Sequence, residues 1–316
     1  MLETRWRMGR MENGQWIVED LISKSPTGEF KRPEQGFRDH IGPQGPFPAE
    51  PERYHLYASY ACPWAHRALI MRKLKGLERL IPLSIVSPYM LEQGWTFKSD
   101  FANVEGDPVF DKMFLKDVYA AAKPDFTGRV TVPVLLDKKS KKIVNNESSE
   151  IIRIFNEAFN SLTGNKEDFY PQEHRAEIDT WNQEIYDNVN NGVYKSGFAT
   201  NQEAYEKAVH KVFETLDKVD ERLQGRNFLM GSRLTEADIR LYTTLVRFDP
   251  VYYVHFKCNR TMIRDFKNLS RYLRSLYEME AFKSTTHFDH IKTHYYVSQK
   301  QINPYQIIPW GPKPLV

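Results

Sequence analysis

Apolar positions change their period once along this chain. From residue 54 they come in short runs bounded by polar turns, beginning with Tyr54-His55-Leu56-Tyr57-Ala58-Ser59, which reads as a strand. A helix follows over 62–74, closed by Gly76, and 80–86 reads as a second strand. The β-branched run Arg129-Val130-Thr131-Val132-Pro133-Val134-Leu135-Leu136 predicts a third. A polar turn over 137–142 leads to the short strand Ile143-Val144. Glu147-Ser148-Ser149-Glu150 then opens a helix that runs through Phe159. Two strands joined by a helix favour a parallel pair inside a mixed sheet. From about residue 172 the period becomes helical: i, i+3, i+4 spacing fills 173–190, 203–224, 236–246 and 265–279. The third of these helices starts sharply, because Thr235 and Asp238 form a capping box with Leu234 ahead as a staple.

These periods divide the chain. Residues 1–50, rich in Gly, Pro and charge, predict an irregular arm. An α/β domain follows over 51–160, with a weakly periodic insertion at 87–127. An all-helical domain covers 165–296, and 297–316 is an irregular tail. A length of 316 residues is enough for two cores.

The 44 basic and 41 acidic residues give a net charge of +3, with no block of one sign, so nucleic-acid binding is not expected. Arg67, Arg72, Lys73 and Lys75 read as a solvated face of the first helix. No run of eighteen apolar residues predicts a membrane span. The charged N-terminus lacks the apolar core of a signal peptide, and Glu3 and the absence of serine argue against a transit peptide. Two distant cysteines argue for a reducing compartment, and the expected location is cytoplasmic. No His/Cys cluster has metal-ligand spacing, so no metal is expected.

The chemistry concentrates at Tyr60-Ala61-Cys62-Pro63-Trp64-Ala65-His66-Arg67. A thiol at the start of a helix faces free N–H groups and the positive end of the helix dipole, which favour the thiolate. Pro63 suits the first helical position. The residue three beyond Cys62 is Ala65, so no neighbouring thiol resolves a disulfide and an outside thiol must. His66 reads as structural, since a thiolate held by a helix terminus needs no base. Cys258, in Phe256-Lys257-Cys258-Asn259, reads as a packing residue.

The Cys-Pro helix start and the Thr235/Asp238 box resemble the glutathione transferase superfamily: a thioredoxin-like α/β N-terminal domain followed by an all-α C-terminal domain. Longer words sharpen the resemblance. Tyr54-His55-Leu56-Tyr57, Ala61-Cys62-Pro63-Trp64-Ala65-His66-Arg67, Gly94-Trp95, Arg129 to Val134, Asn146-Glu147-Ser148, Asn190 to Lys195, Arg247 to Tyr252, His255 to Cys258 and His294-Tyr295-Tyr296 are similar to the glutathionyl-hydroquinone reductases, the Xi class, over residues 28–311. The resemblance implies glutathione as co-substrate and a homodimer. It implies that Trp95, Arg129, Val132, Glu147 and Ser148 bind glutathione, with a cis Val132–Pro133 bond presenting the Val132 backbone to the cysteinyl part. Ser148 and the helical N–H groups would take the γ-glutamyl carboxylate, and Glu147 the ammonium. It further implies that Tyr194, Tyr252 and Tyr295 face Cys62 and serve the acceptor ring.

The expected reaction is reduction of S-glutathionyl-hydroquinones through a Cys62–glutathione mixed disulfide, with oxidised glutathione as second product. The alternative is an omega-like thioltransferase or dehydroascorbate reductase, which shares Cys62 and the glutathione pocket but lacks the tyrosines. A conjugating transferase fits less well, because Cys62 would form a disulfide with glutathione rather than stabilise its thiolate. A non-catalytic binding module has no use for an intact Cys-Pro helix start.

Overall fold

The computed structural model describes residues 8–19, 27–43, 45–98 and 101–316. The parts of the arm and insertion at 1–7, 20–26, 44 and 99–100 fall outside the described residues, and much of the charged N-terminal reading lies there. By backbone contacts, the described residues of 1–21, 33–167 and 289–301 form one compact unit, and those of 22–32, 168–288 and 302–316 a second.

The first unit opens on a hairpin where an irregular arm was expected. Strands β1 (Met8–Glu12) and β2 (Gln15–Glu19) pair antiparallel around Asn13-Gly14. Both turn residues have positive φ, 49° and 76°, the backbone that an Asn-Gly hairpin turn requires. Next come β3 (Tyr54–Ala58), α1 (Pro63–Leu74), β4 (Leu83–Ile85), α2 (Leu115–Ala122), β5 (Val134–Asp137), β6 (Lys142–Asn145), α3 (Ser148–Glu157) and α4 (Asn160–Thr163). The sheet runs β4-β3-β5-β6, with β3 and β4 parallel and the other neighbours antiparallel. This is the mixed sheet that the strand-helix-strand order predicts. Every residue of β3 and β5 is buried, so the two central strands carry the core.

Three differences from the sequence reading have physical causes. The third strand starts at Val134 rather than Arg129, because Pro133 cannot donate to the ladder. Helix α2 lies inside the insertion, where Leu115, Val118 and Tyr119 form too short an apolar stripe to stand out. Of the four basic residues expected to form a solvated face, only Lys73 is partly solvated, paired with Glu78 at 3.0 Å. Arg67, Arg72 and Lys75 are 1%, 7% and 1% exposed. Arg72 donates to the carbonyls of Ile81 and Glu78, and Lys75 to those of Asn165 and Glu167. Gly76 ends α1 as expected, with φ of 65° in open space.

The second unit is helical: α5 (Arg175–Ile185), α6 (Gly192–Gly197), α7 (Gln202–Arg222), α8 (Glu236–Arg247), α9 (Tyr253–His255), α10 (Lys267–Tyr277) and α11 (Glu280–Lys283). Asp238 is the hub of its packing. Its carboxylate accepts from the Thr235 N–H at 2.9 Å, as the capping box predicts, and also from the Thr235 hydroxyl at 3.0 Å. It also accepts from the Leu229 N–H and the Tyr272 hydroxyl, both at 2.8 Å. Burial pushes its carboxyl pKa up, against these four donors. Two π-type turns interrupt the helices. After α5 the Asn191 N–H reaches back five residues to Tyr186, and after α8 the Tyr253 N–H reaches Phe248 across Pro250, which has no N–H of its own.

The last helix, α12 (Phe288–Ser298), packs from Asp289 onward in the first unit, whereas the sequence reading carries the helical domain to 296. Its attachments are polar and specific. Ser298 donates to the Pro88 carbonyl and accepts from the Met90 N–H, each at 3.0 Å, and His294 Nδ1 lies 3.0 Å from the same Pro88 oxygen. Among the described residues, no helix is long and apolar enough to cross a membrane.

Candidate active site

The loop between β3 and α1 delivers Cys62 to the N-cap position of α1, with Pro63 as the first helical residue. Its backbone is extended (φ −78°, ψ 121°) and its carbonyl accepts the first helical bond, from the His66 N–H at 3.0 Å. The thiol is partly exposed. Its Sγ lies 3.6 Å from the Val132 carbonyl oxygen. The Val132–Pro133 bond is cis. Two expected site residues thus meet at hydrogen-bonding distance. His66 is fully buried in α1.

Glu147 and Ser148 form the start of α3, at the end of β6. Glu147 is the N-cap, and its Oε1 accepts from the Ser149 N–H and hydroxyl, both at 2.9 Å. The turn is fixed from behind by Asn145, whose Oδ1 accepts from the Glu147 N–H at 2.7 Å. Capping therefore already engages the Glu147 carboxylate. Ser148 is buried, and Arg67 Nη1 donates to its hydroxyl at 3.3 Å. The Arg67 guanidinium also lies 4.5 Å over the Trp64 ring. Arg67 thus brings a second positive group to the helix N-terminus, and the sequence reading missed it. An arginine on a basic helix looks solvated until the fold buries it.

Trp95 is 6% exposed and stacks on His294 with ring centroids 4.8 Å apart and planes 20° apart. Tyr295 follows on α12, 1% exposed, so Trp95 and Tyr295 share the first unit. The sequence reading has His294 only within the His294-Tyr295-Tyr296 word, with no role assigned to it. Arg129 is half-buried just before Thr131 and Val132. Tyr194 (9% exposed) and Tyr252 (fully buried) belong to the second unit, where their rings lie 6.2 Å apart. Phe256 stacks on Tyr252 at 5.3 Å and 9°, and Arg32 sits 4.9 Å over the Tyr194 ring while donating to Asn191 at 2.8 Å.

Cys258 is fully buried, and burial pushes its thiol up to about 12. No group of three or more His, Cys, Asp or Glu side chains placed to hold a metal is found among the described residues.

Residues 61–158 match the family model for the glutathione S-transferase N-terminal domain, and 202–275 that for the C-terminal domain. The glutathionyl-hydroquinone reductase of Escherichia coli K12 is 52% identical over 96% of this chain and 95% of its own length. Among solved structures, the glutathione-S-transferase Xi of Phanerochaete chrysosporium is 55% identical, with a TM-score of 0.90 over 92% of this chain and 94% of that one. A glutathione-bound glutathione transferase homolog from Escherichia coli K-12 is 50% identical, with a TM-score of 0.89 over 97% of each chain.

Proposed function

The chain belongs to the glutathione S-transferase family, and within it we propose that this protein is a Xi-class glutathionyl-hydroquinone reductase with Cys62 as nucleophile. One observation carries the reading. Cys62 is a half-exposed thiol at a Pro-started helix N-terminus, beside the Val132 carbonyl and with alanine where a resolving cysteine would stand. That arrangement suits attack on a glutathione sulfur and requires a second glutathione to finish. The full-length likeness to a reductase of that name supports the choice of substrate.

Glutathione is the co-substrate. The Ser148 hydroxyl, with Arg67 behind it, is suited to the γ-glutamyl carboxylate, and Glu147 to the ammonium. Val132 offers backbone groups to the cysteinyl portion, while Arg129 and Trp95 hold the remainder. In the first half-reaction the Cys62 thiolate attacks the glutathionyl sulfur of the substrate in its keto tautomer. The carbon–sulfur bond electrons move into the ring as an enolate, which is the hydroquinone's phenolate. Hydroxyls of Tyr194, Tyr252 and Tyr295 stabilise that charge by hydrogen bonds, and the phenolate takes its proton from water on release. In the second, a glutathione thiolate attacks the mixed disulfide, releasing oxidised glutathione and the Cys62 thiolate. The kinetics are then ping-pong.

The chain acts in this reading as a homodimer in a reducing, cytoplasmic setting, in keeping with two free cysteines. Product analysis tests the central claim. With glutathione supplied, a synthetic S-glutathionyl-hydroquinone should yield hydroquinone and oxidised glutathione in equal amounts, and far faster than dehydroascorbate is reduced. Turnover of dehydroascorbate alone would make the protein an omega-like thioltransferase instead.

A further inference from the structure

Two strips of the first unit supply the proposed glutathione contacts: residues 129–132 ahead of β5, and 146–148 from the end of β6 into α3. They are separate in sequence and share no strand pairing at these positions. The arm segment 35–37 touches both, through Gln35 to the Thr131 hydroxyl and Phe37 to Asn146, and among the described residues one side chain bonds directly to both. Tyr119, on α2 of the insertion, is fully buried, and its hydroxyl donates to the Thr131 carbonyl at 2.9 Å. The same oxygen accepts from the Thr131 N–H at 3.3 Å and from Asn146 Nδ2 at 3.2 Å. A phenol has one proton and two lone pairs, so all of its hydrogen-bonding capacity is spent on these two strips. Asn146 is fixed in turn, because its Oδ1 accepts from the Phe37 N–H at 3.2 Å and its own N–H donates to the Phe37 carbonyl at 3.1 Å.

We propose that Tyr119 is a positioning residue that sets the spacing between the Val132 backbone and the Glu147-Ser148 turn, and so the affinity for glutathione. The proposal rests on the glutathione site described above. Thr131 directly precedes Val132, and Asn146 directly precedes Glu147, so a shift at either hydrogen bond reaches a ligand contact within one residue. The Tyr119 ring packs against Phe37 and Phe126, with centroids 5.8 and 5.2 Å away. A phenylalanine would keep that packing and remove only the bridge. Tyr119 does not touch the start of α1: the Cys62 N–H is held by the Ser59 carbonyl, and the nucleophile meets the strips where its Sγ lies 3.6 Å from the Val132 carbonyl. The pH midpoint of Cys62 alkylation therefore reports any shift that reaches the nucleophile.

The test uses the full chain and S-methylglutathione, which occupies a glutathione site without forming a disulfide. Protection of Cys62 from iodoacetamide is titrated in the wild type, Tyr119→Phe and Tyr57→Phe. The last is a control of similar stability cost: Tyr57 is equally buried and its hydroxyl donates to Asp107 at 2.6 Å, away from both strips. Tyr119→Phe should raise the protecting concentration roughly tenfold, the scale of a lost buried hydrogen bond. Tyr57→Phe should change it less than about twofold. In both variants the pH midpoint of unprotected alkylation should stay in place. Asn146→Ala, cutting the bridge from its other end, should weaken protection in the same direction, and the double variant should lose less than the product of the two. It decides the matter if Tyr119→Phe does not fold. Unchanged protection in these variants, or an equal rise in Tyr57→Phe, overturns the role of Tyr119 alone. A wild type that S-methylglutathione does not protect overturns the glutathione site itself, and the proposal with it.

Discussion

Two thiols in one chain meet opposite environments, and their chemistry should separate accordingly. Cys62 occupies the N-cap position of α1, where the positive end of the helix dipole favours the charged form. Cys258 is enclosed, its Sγ 3.8 Å from the Phe256 carbonyl, and burial disfavours its thiolate up to a pH of about 12. The two environments act in opposite directions: a helix terminus favours the thiolate, while lost solvation holds Cys258 neutral. Iodoacetamide at pH 6 to 8 should therefore add one carbamidomethyl group to the native protein, at Cys62, with a midpoint below the ~8.5 of a free thiol. Cys258 should react only after denaturation. Peptide mass mapping reads both. Cys62→Ala should abolish reduction and Cys258→Ser leave it within about twofold; a midpoint above ~8.5 for Cys62 would remove the argument for its activation.

At the scale of elements, the N-terminal hairpin tests how the insertion is braced. Trp16 Nε1 donates to the Glu92 carbonyl at 3.0 Å, and a Cβ on Gly94 would meet its ring at 3.1 Å, so the indole lies directly against the loop that carries Trp95. On the other strand, Met11 and Gly128 exchange backbone hydrogen bonds of 2.8 and 2.9 Å, one residue before Arg129. Gly14 has φ of 76°, and a Cβ there would run into the Pro124 carbonyl oxygen. Gly14→Ala should thus cost more than about 1 kcal/mol locally. The Met11 and Gly128 amides should exchange at least about fivefold faster, while the Leu56 amide in the central sheet stays protected. Equal acceleration at Leu56 would mean that the hairpin does not unfold on its own. The hairpin was legible in Asn13-Gly14 flanked by Met11 and Trp16, yet the surrounding Gly, Pro and charge obscured it. Elements bounded by a local signal are legible in the sequence: Pro63 and Gly76 mark α1 of the β-α-β core, and Thr235 and Asp238 mark α8 of the helical unit. Where tertiary contacts decide, the pattern is silent. The burial of Arg67, the bridge made by Tyr119 and the attachment of α12 to Pro88 leave no periodicity to find.

For the molecule as a whole, the proposed reaction asks more of the protein than a reactive thiol in the first unit, and this difference can be measured. A disulfide already carries a good leaving group, so the Cys62 thiolate suffices to cleave it. A thioether on an aromatic ring does not, because charge must pass to a ring oxygen, and the proposed donors Tyr194 and Tyr252 come from the second unit. All three tyrosines are buried and pack with other rings, as core tyrosines do, so burial alone does not separate packing from catalysis. Removal of the hydroxyl does, since it leaves the ring in place. Tyr194→Phe, Tyr252→Phe and Tyr295→Phe should each lower the turnover of an S-glutathionyl-hydroquinone, by ~10²–10³ where the lost donor meets the developing charge. The same variants should reduce hydroxyethyl disulfide within about twofold of the wild-type rate, because that step draws only on Cys62 and the glutathione site. Each variant is its own control: loosened packing or lost glutathione binding would lower both activities together. Equal loss on the two substrates, or no loss across all three variants, would assign these rings to the core and leave the protein an omega-like thioltransferase.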